Sequence, residues 1–223
     1  KFRGIIGINV VMWAFYAFFL VYMPKWFYSI LSLFDYLPRL WHKHHSRWGH
    51  IAGAALALFV AASMLYGAFY ARQHPVYNER TITFDRLPEG FDGYRIVQFS
   101  DLHIETLGSA GRYLPEWVNR INSLHPDLIV FTGDLVNRQG GELPPYMNEL
   151  SRLTATDGVY SVLGNHDYGD YYPWESPADQ TKTLQKLIAD EGRMGWHMLN
   201  NRSVYLHRGN DSIALIGVEN WGM

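Results

Sequence analysis

The 223-residue chain contains no cysteine, which removes disulfides, thiolate metal sites and cysteine nucleophiles together. The compartment stays open, because a cysteine-free domain survives in either redox environment. No basic stripe runs along a chain of formal net charge −2, so nothing tracks a phosphate backbone and no nucleic-acid partner is expected. Charge is also missing locally: residues 5–23 and 49–71 hold no Asp, Glu, Lys or Arg, and the charges gather after Arg72. An opening Lys1 in place of Met, and a close at Trp221-Gly222-Met223 directly after a strand-like run, raise the expectation that both ends are cut.

As a helix, residues 5–23 would reach roughly 29 Å, the hydrocarbon thickness of a bilayer. Phe15, Tyr16, Phe18, Phe19, Tyr22 and Trp26 crowd one end, as an interfacial aromatic belt does; a helix wholly buried in a soluble protein is the alternative. Residues 49–71 are also long enough to span. Gly53, Ala57 and Ala61 recur there at four-residue spacing and offer a smooth face to a helix–helix partner in the membrane, unless they record only alanine's helix propensity. Between the runs, residues 26–37 are aromatic and apolar around Asp35 and are expected to lie in the bilayer interface. His42, His44 and His45, among Arg39, Lys43 and Arg47, fit a wet loop against lipid headgroups better than a metal site. The basic residues Lys25, Arg39, Lys43 and Arg47 of the connection outnumber Lys1 and Arg3 on one far end and Arg72 on the other. The positive-inside rule therefore puts the connection in the cytoplasm and everything after Arg72 outside it.

The expected organisation is a membrane anchor over 1–72, a linker with a first strand over 73–93 (the strand at 81–84), and a globular domain over 94–223. In the latter, apolar strands at 94–99, 128–131 and 159–163 alternate with helical patterns at 115–124, 145–153 and 178–190. Three further strand candidates follow at 197–199, 203–207 and 212–218, with turn signals at Asn200-Asn201 and Gly209-Asn210-Asp211. Alternation followed by a strand cluster predicts an α/β fold, a layered sandwich of mixed β-sheets flanked by helices and preceded by two transmembrane helices.

Each of the three alternating strands empties into a polar knot: Ser100-Asp101-Leu102-His103, Thr132-Gly133-Asp134 and Gly164-Asn165-His166-Asp167. Parallel crossovers bring such knots to one sheet edge. Asp101 and His103 can turn an oxygen and a nitrogen to one point, and Asp134 has two oxygens to share between two metals. Asn165 offers a neutral amide oxygen, His166 a proton or support for a developing oxyanion, and Asp167 a carboxylate to orient the imidazole. No one knot is decisive. Their intervals of 33 and 31 residues between Asp101, Asp134 and Asn165 each fit one crossover helix. Carboxylate, imidazole and carboxamide without thiol describe a site for divalent manganese, iron or zinc. Two such ions about 4 Å apart can hold a hydroxide and neutralise a phosphoryl group under in-line attack.

With these blocks in this order, residues 81–220 resemble the calcineurin-like metallophosphoesterases. Leu199-Asn200-Asn201 and the run from Ile213 to Asn220 look like that family's membrane-associated bacterial branch. The resemblance implies that Asp101 and His103 hold a first metal, Asp134 bridges, Asn165 holds a second, and His166 protonates or stabilises the leaving oxygen. It also implies a bacterial inner-membrane protein. Family members carry a further lone histidine and a Gly-His-x-His block that nothing here matches, since His197 and His207 precede the last strand. The chain is accordingly expected to stop short of a second half.

Two functions follow. One is a membrane-anchored, metal-dependent phosphoesterase acting on a phosphorylated small molecule or a lipid-linked pyrophosphate beside the lipid bilayer. The other is a non-catalytic membrane scaffold whose phosphoesterase-like domain is degenerate. Tyr168, Tyr171, Tyr172 and Trp174 after the third knot wall a pocket, touch the membrane surface or pack as a surface loop.

Overall fold

The two uncharged runs become the two longest helices, α1 (Ile8–Leu33) and α2 (Trp48–Phe69). The computed structural model describes residues 8–41, 44, 47–107 and 112–221. Lys1, Arg3, His42, Lys43 and His45, used above for the charge count and the histidine cluster, lie outside the described residues. The chain divides into two units, residues 1–77 and 78–223.

In the first unit both helices are long and apolar enough to cross a membrane. The helix α1 does not stop where the sequence pattern does: it carries Pro24 in its interior and runs on to Leu33. Only from Phe34 does the chain change, into a 3-10 helix over Phe34–Trp41. Residues 26–33, expected to lie in the bilayer interface, are thus a continuation of α1, and an apolar segment keeps its backbone hydrogen bonds satisfied by remaining helical. Asp35 is buried, and its two oxygens accept from Gly49 N and His50 N at 2.7 Å each. A carboxylate from the preceding connection therefore caps the start of α2, where orphan N–H groups and the helix dipole favour it. At Gly53 a Cβ would lie 3.0 Å from Tyr28 O of α1. This part of the small-residue face meets a helix of the same chain.

The second unit is built on a four-stranded parallel sheet of β1 (Ile96–Phe99), β2 (Leu128–Phe131), β3 (Val159–Ser161) and β4 (Trp196–Met198), paired in sequence order. The helices α3 (Ile104–Leu107), α4 (Leu114–Ser123), α5 (Met147–Leu150) and α6 (Pro177–Arg193) connect them. An antiparallel hairpin follows, of β5 (Arg202–Arg208) and β6 (Asp211–Gly217). The sequence of β2, Leu-Ile-Val-Phe, is apolar at every position because both of its faces are covered. Ile129 and Phe131 enter the larger core with Val118 of α4, Leu150 of α5 and Leu187 of α6. Leu128 faces the other way, onto Phe91 and Leu206 of β5. The result is the expected α/β fold, with helices on one side of the sheet and a second small sheet on the other.

Three expectations are corrected. Residues 81–84 form no strand, since an alternating segment becomes one only beside a partner edge. The helix expected over 145–153 shrinks to α5, preceded by 3-10 turns at Gly140–Glu142 and Pro144–Tyr146; adjacent prolines at 144 and 145 remove two donors. The first member of the terminal strand cluster, β4, joins the parallel sheet rather than the hairpin, and α6 is the crossover that makes this possible. Ser176 caps α6, its hydroxyl accepting from Asp179 N at 3.2 Å.

Candidate metal centre

The loops leaving β1, β2 and β3 meet at the C-terminal edge of the parallel sheet. The first two run side by side beyond the strands: Asp101 N donates to Gly133 O, His103 N to Asp134 O and Ile104 N to Leu135 O, at 3.0 to 3.1 Å. The second and third touch backbone to backbone. A Cβ on Gly133 would lie 2.2 Å from Gly164 N, and one on Gly164 would lie 2.2 Å from Asp134 Oδ1. Glycine at both positions is what lets the knots close up. Asp101, His103 and Asp134 all adopt positive φ (55°, 41° and 60°) without being glycine. Left-handed backbone costs about 1–2 kcal/mol per such residue, and here it aims ligand-type side chains at one point.

Among the described His, Asp and Glu residues, His103, Asp134 and His166 present ligand atoms that all lie within 4.8 Å of one another. Asp101 stands beside them, its Oδ1 3.9 Å from His103 Nε2, with a side chain 64% exposed. Asp134 Oδ2 is likewise 3.9 Å from His103 Nε2. Both distances are too long for hydrogen bonds. The other oxygen of Asp134 accepts from His166 N at 2.9 Å. The imidazoles of His103 and His166 meet edge to face at 4.6 Å. Asn165 donates its amide nitrogen to Tyr171 Oη at 2.8 Å, so the amide oxygen is the end a cation would take. All six residues named from the sequence fall at this edge, with His166 in the closest group and Asn165 beside it.

The role assigned to Asp167 needs correction. Its carboxylate is buried and accepts from four backbone N–H groups: Asp134 and Gly164 on one oxygen, Leu135 and Val136 on the other, at 2.8 to 3.1 Å. Burial pushes this carboxyl above its usual range while the N–H donors pull it down. The group that orients His166 is instead Asn137, whose backbone carbonyl lies 2.7 Å from Nδ1. A carbonyl only accepts, so Nδ1 carries the proton and Nε2 faces the site.

Nothing in the sequence announces the parts played by Asn137 and Tyr171, and Glu142 shows there only as half of a spacing. Glu142 accepts from Asn137 N, Arg138 N and Gln139 N at 2.6 to 3.2 Å, and burial raises its carboxyl. Six consecutive N–H groups, from Asp134 to Gln139, are thus bound by two carboxylates. The carbonyls of Asp134, Leu135 and Asn137 meet partners on the neighbouring loops. The Gln139-to-Glu142 spacing is a capping box and was the one signal available.

Two tests bear on whether these residues suit a cation. His103 Nδ1 is buried without a hydrogen-bond partner, and the donor set is imidazole and carboxylate oxygen, suited to a divalent ion of intermediate character. Among the described residues no Lys or Arg forms an ion pair with Asp101, Asp134 or Asp167. The residues fit a metal.

Comparison with known proteins agrees. Residues 94–221 match the model of the calcineurin-like phosphoesterases, and residues 2–72 match that of the "Probable Calcineurin-like phosphoesterase, transmembrane domain". A "Transmembrane protein with metallophosphoesterase domain" from Danio rerio is 34% identical over 122 residues, 54% of this chain and 28% of that protein. The "Uncharacterized metallophosphoesterase YkuE" of Bacillus subtilis is 37% identical over 127 residues, 53% of this chain and 43% of its own. The "UDP-2,3-diacylglucosamine pyrophosphatase LpxG" of Chlamydia trachomatis is 37% identical over 122 residues, 53% of this chain and 37% of its own. The aligned part thus spans less than half the length of each of these relatives. With α1 and α2 as its transmembrane helices, this integral membrane protein belongs to the calcineurin-like metallophosphoesterase family.

Proposed function

We propose that the protein is a membrane-anchored phosphoesterase that hydrolyses a phosphate ester or pyrophosphate bond with two divalent ions, manganese, iron or zinc. The observation that carries this is the convergence of His103, Asp134 and His166 at the edge of the sheet. Asp101 and His103 hold the first ion, Asp134 is shared, and Asn165 holds the second. Bound there, the ions supply neutralisation of the phosphoryl oxygens and a water made acidic enough to attack at neutral pH. In hydrolysis the phosphorus gains an oxygen from water and releases the leaving oxygen, which needs a proton. With Nδ1–H fixed on the Asn137 carbonyl, His166 would supply that proton from Nε2 as the doubly protonated imidazolium. Asp167 and Glu142 hold the loop that carries Asp134 and Asn137.

The two transmembrane helices favour a substrate presented at a bilayer, and a lipid-linked pyrophosphate fits best. The naming of one relative as a pyrophosphatase of a nucleotide-linked glycolipid supports that class. The basic connection between the spans supports an extracytoplasmic site in a bacterial inner membrane. The test is phosphate release by the intact purified protein with manganese supplied, on aryl phosphates, lipid phosphates and sugar-nucleotide pyrophosphates. Turnover is expected on at least one class and is expected to fall to background in Asp134→Asn, which keeps the acceptor for His166 N. Absence of release from all three classes overturns the reading.

A further inference from the structure

The segment after the third knot folds back on itself. Gly169 N donates to His166 O at 3.1 Å, Tyr172 N to Gly169 O at 3.1 Å, and Trp174 Nε1 to the same carbonyl at 2.6 Å. From α6, Gln180 Nε2 reaches Tyr168 O at 3.0 Å and Asp170 Oδ1 at 2.8 Å. Arg138 lies over the Tyr172 ring at 5.9 Å. This coil brings Tyr171 to the site. The Tyr171 ring packs on the His166 imidazole at 4.5 Å with planes 31° apart, and its hydroxyl accepts from Asn165 Nδ2 at 2.8 Å.

We propose that Tyr171 is a positioning residue for the Asn165–His166 pair, an inference that rests on the metal-site reading above. A carboxamide has two ends of similar size, and only its oxygen ligates a cation. The nitrogen end must then turn away and find an acceptor, and Tyr171 Oη is that acceptor. On the other side, the imidazole of His166 is held between the Asn137 carbonyl and the Tyr171 ring. One side chain therefore sets the direction of the amide ligand and the plane of the proton donor. Partners one step removed from a metal ligand commonly change metal affinity by about 10- to 100-fold.

The experiment titrates the intact protein with Mn²⁺ and reads binding by electron paramagnetic resonance, alongside thermal melts to establish folding. The wild type is expected to take up two ions. Tyr171→Phe, which keeps the ring, is expected to weaken the second ion by about 10-fold or more while leaving the first unchanged; in an Asn165→Ala background it is expected to add nothing. Tyr171→Ala is expected to weaken the second ion at least as much. Wild-type uptake of both ions by Tyr171→Phe overturns the inference and leaves the site reading standing. Two ions in Asp134→Asn, or fewer than two in the wild type, overturns both.

Discussion

The two rims of the parallel sheet handle their carboxylates in opposite ways. At the N-terminal rim, Asp127 before β2 and Asp157 before β3 both receive Arg208 of β5, at 2.9 and 3.1 Å. Tyr94 adds its hydroxyl to Asp157 at 2.5 Å and its ring to Arg208 at 5.4 Å. One guanidinium there offsets part of the charge of both carboxylates from within the fold. At the C-terminal rim, Asp101 and Asp134 both lie 3.9 Å from the His103 imidazole, and among the described residues Asp167 is met by backbone N–H groups alone. Among the described residues, the guanidinium at the C-terminal rim, that of Arg138, pairs with Glu105 and not with Asp101, Asp134 or Asp167, which leaves those charges for a cation from solution.

The sharpest way to break this comparison is to supply that cation. Binding to the native state alone stabilises it by about 2.7 kcal/mol at a free concentration 100 times the dissociation constant. Mn²⁺ is therefore expected to raise the melting temperature of the intact protein, and Asp134→Asn is expected to remove most of the rise. An equal rise in both proteins would mean that the ion binds elsewhere.

Removing the internal cation should do the reverse. In Arg208→Met, two partly buried carboxylates lose their partner, and the expected destabilisation is about 1–2 kcal/mol, below the range for a fully buried pair because all three groups retain some exposure. Thermal melts with and without Mn²⁺ check both halves of the claim: a lower baseline stability, and an unchanged increment from the ion. Loss of the increment would show that the rims are coupled through the sheet.

How much of this was legible in the sequence follows from what a side chain's identity can announce. The strand Leu128–Phe131 declared itself because burial on both faces leaves no polar position. The knots declared themselves because metal-ligand residue types directly follow strands. The backbone traffic between them did not. Asn137 acts on His166 through a main-chain carbonyl, which any residue possesses, and Asp167 looks identical whether its oxygens meet an imidazole or four N–H groups. Pairing is similarly hidden: nothing in residues 81–84 says that no strand stands beside them, and nothing in Trp196–Met198 says that the partner is β3 and parallel. The end of α1 is hidden too, because Pro24 and Lys25 resemble a stop, while apolar residues beyond them keep the helix going.

A third treatment of a carboxyl lies between the rims. Glu191 of α6 is buried under β3, and Ser161 Oγ donates to its Oε2 at 2.6 Å. Burial, with a smaller push from the Asp167 charge, raises its pKa to about 8. It is thus kept mainly protonated at neutral pH, neither paired with a cation nor saturated by N–H groups. The sign of its linkage follows. Below about pH 4.5 the group is protonated folded or unfolded and stability is at its fullest. As pH rises toward 8, the unfolded chain releases the proton and the folded one retains it, so stability falls; above 8 both release it and the loss stops growing. Glu191→Gln keeps the shape and an acceptor for Ser161 but has no proton to retain. Melting temperatures from pH 5 to 9 are therefore expected to fall more steeply in the wild type than in the variant, with the divergence ending above pH 8. Parallel curves would mean that Glu191 is ionised within the fold, and that the interior supplies a compensating charge as the N-terminal rim does.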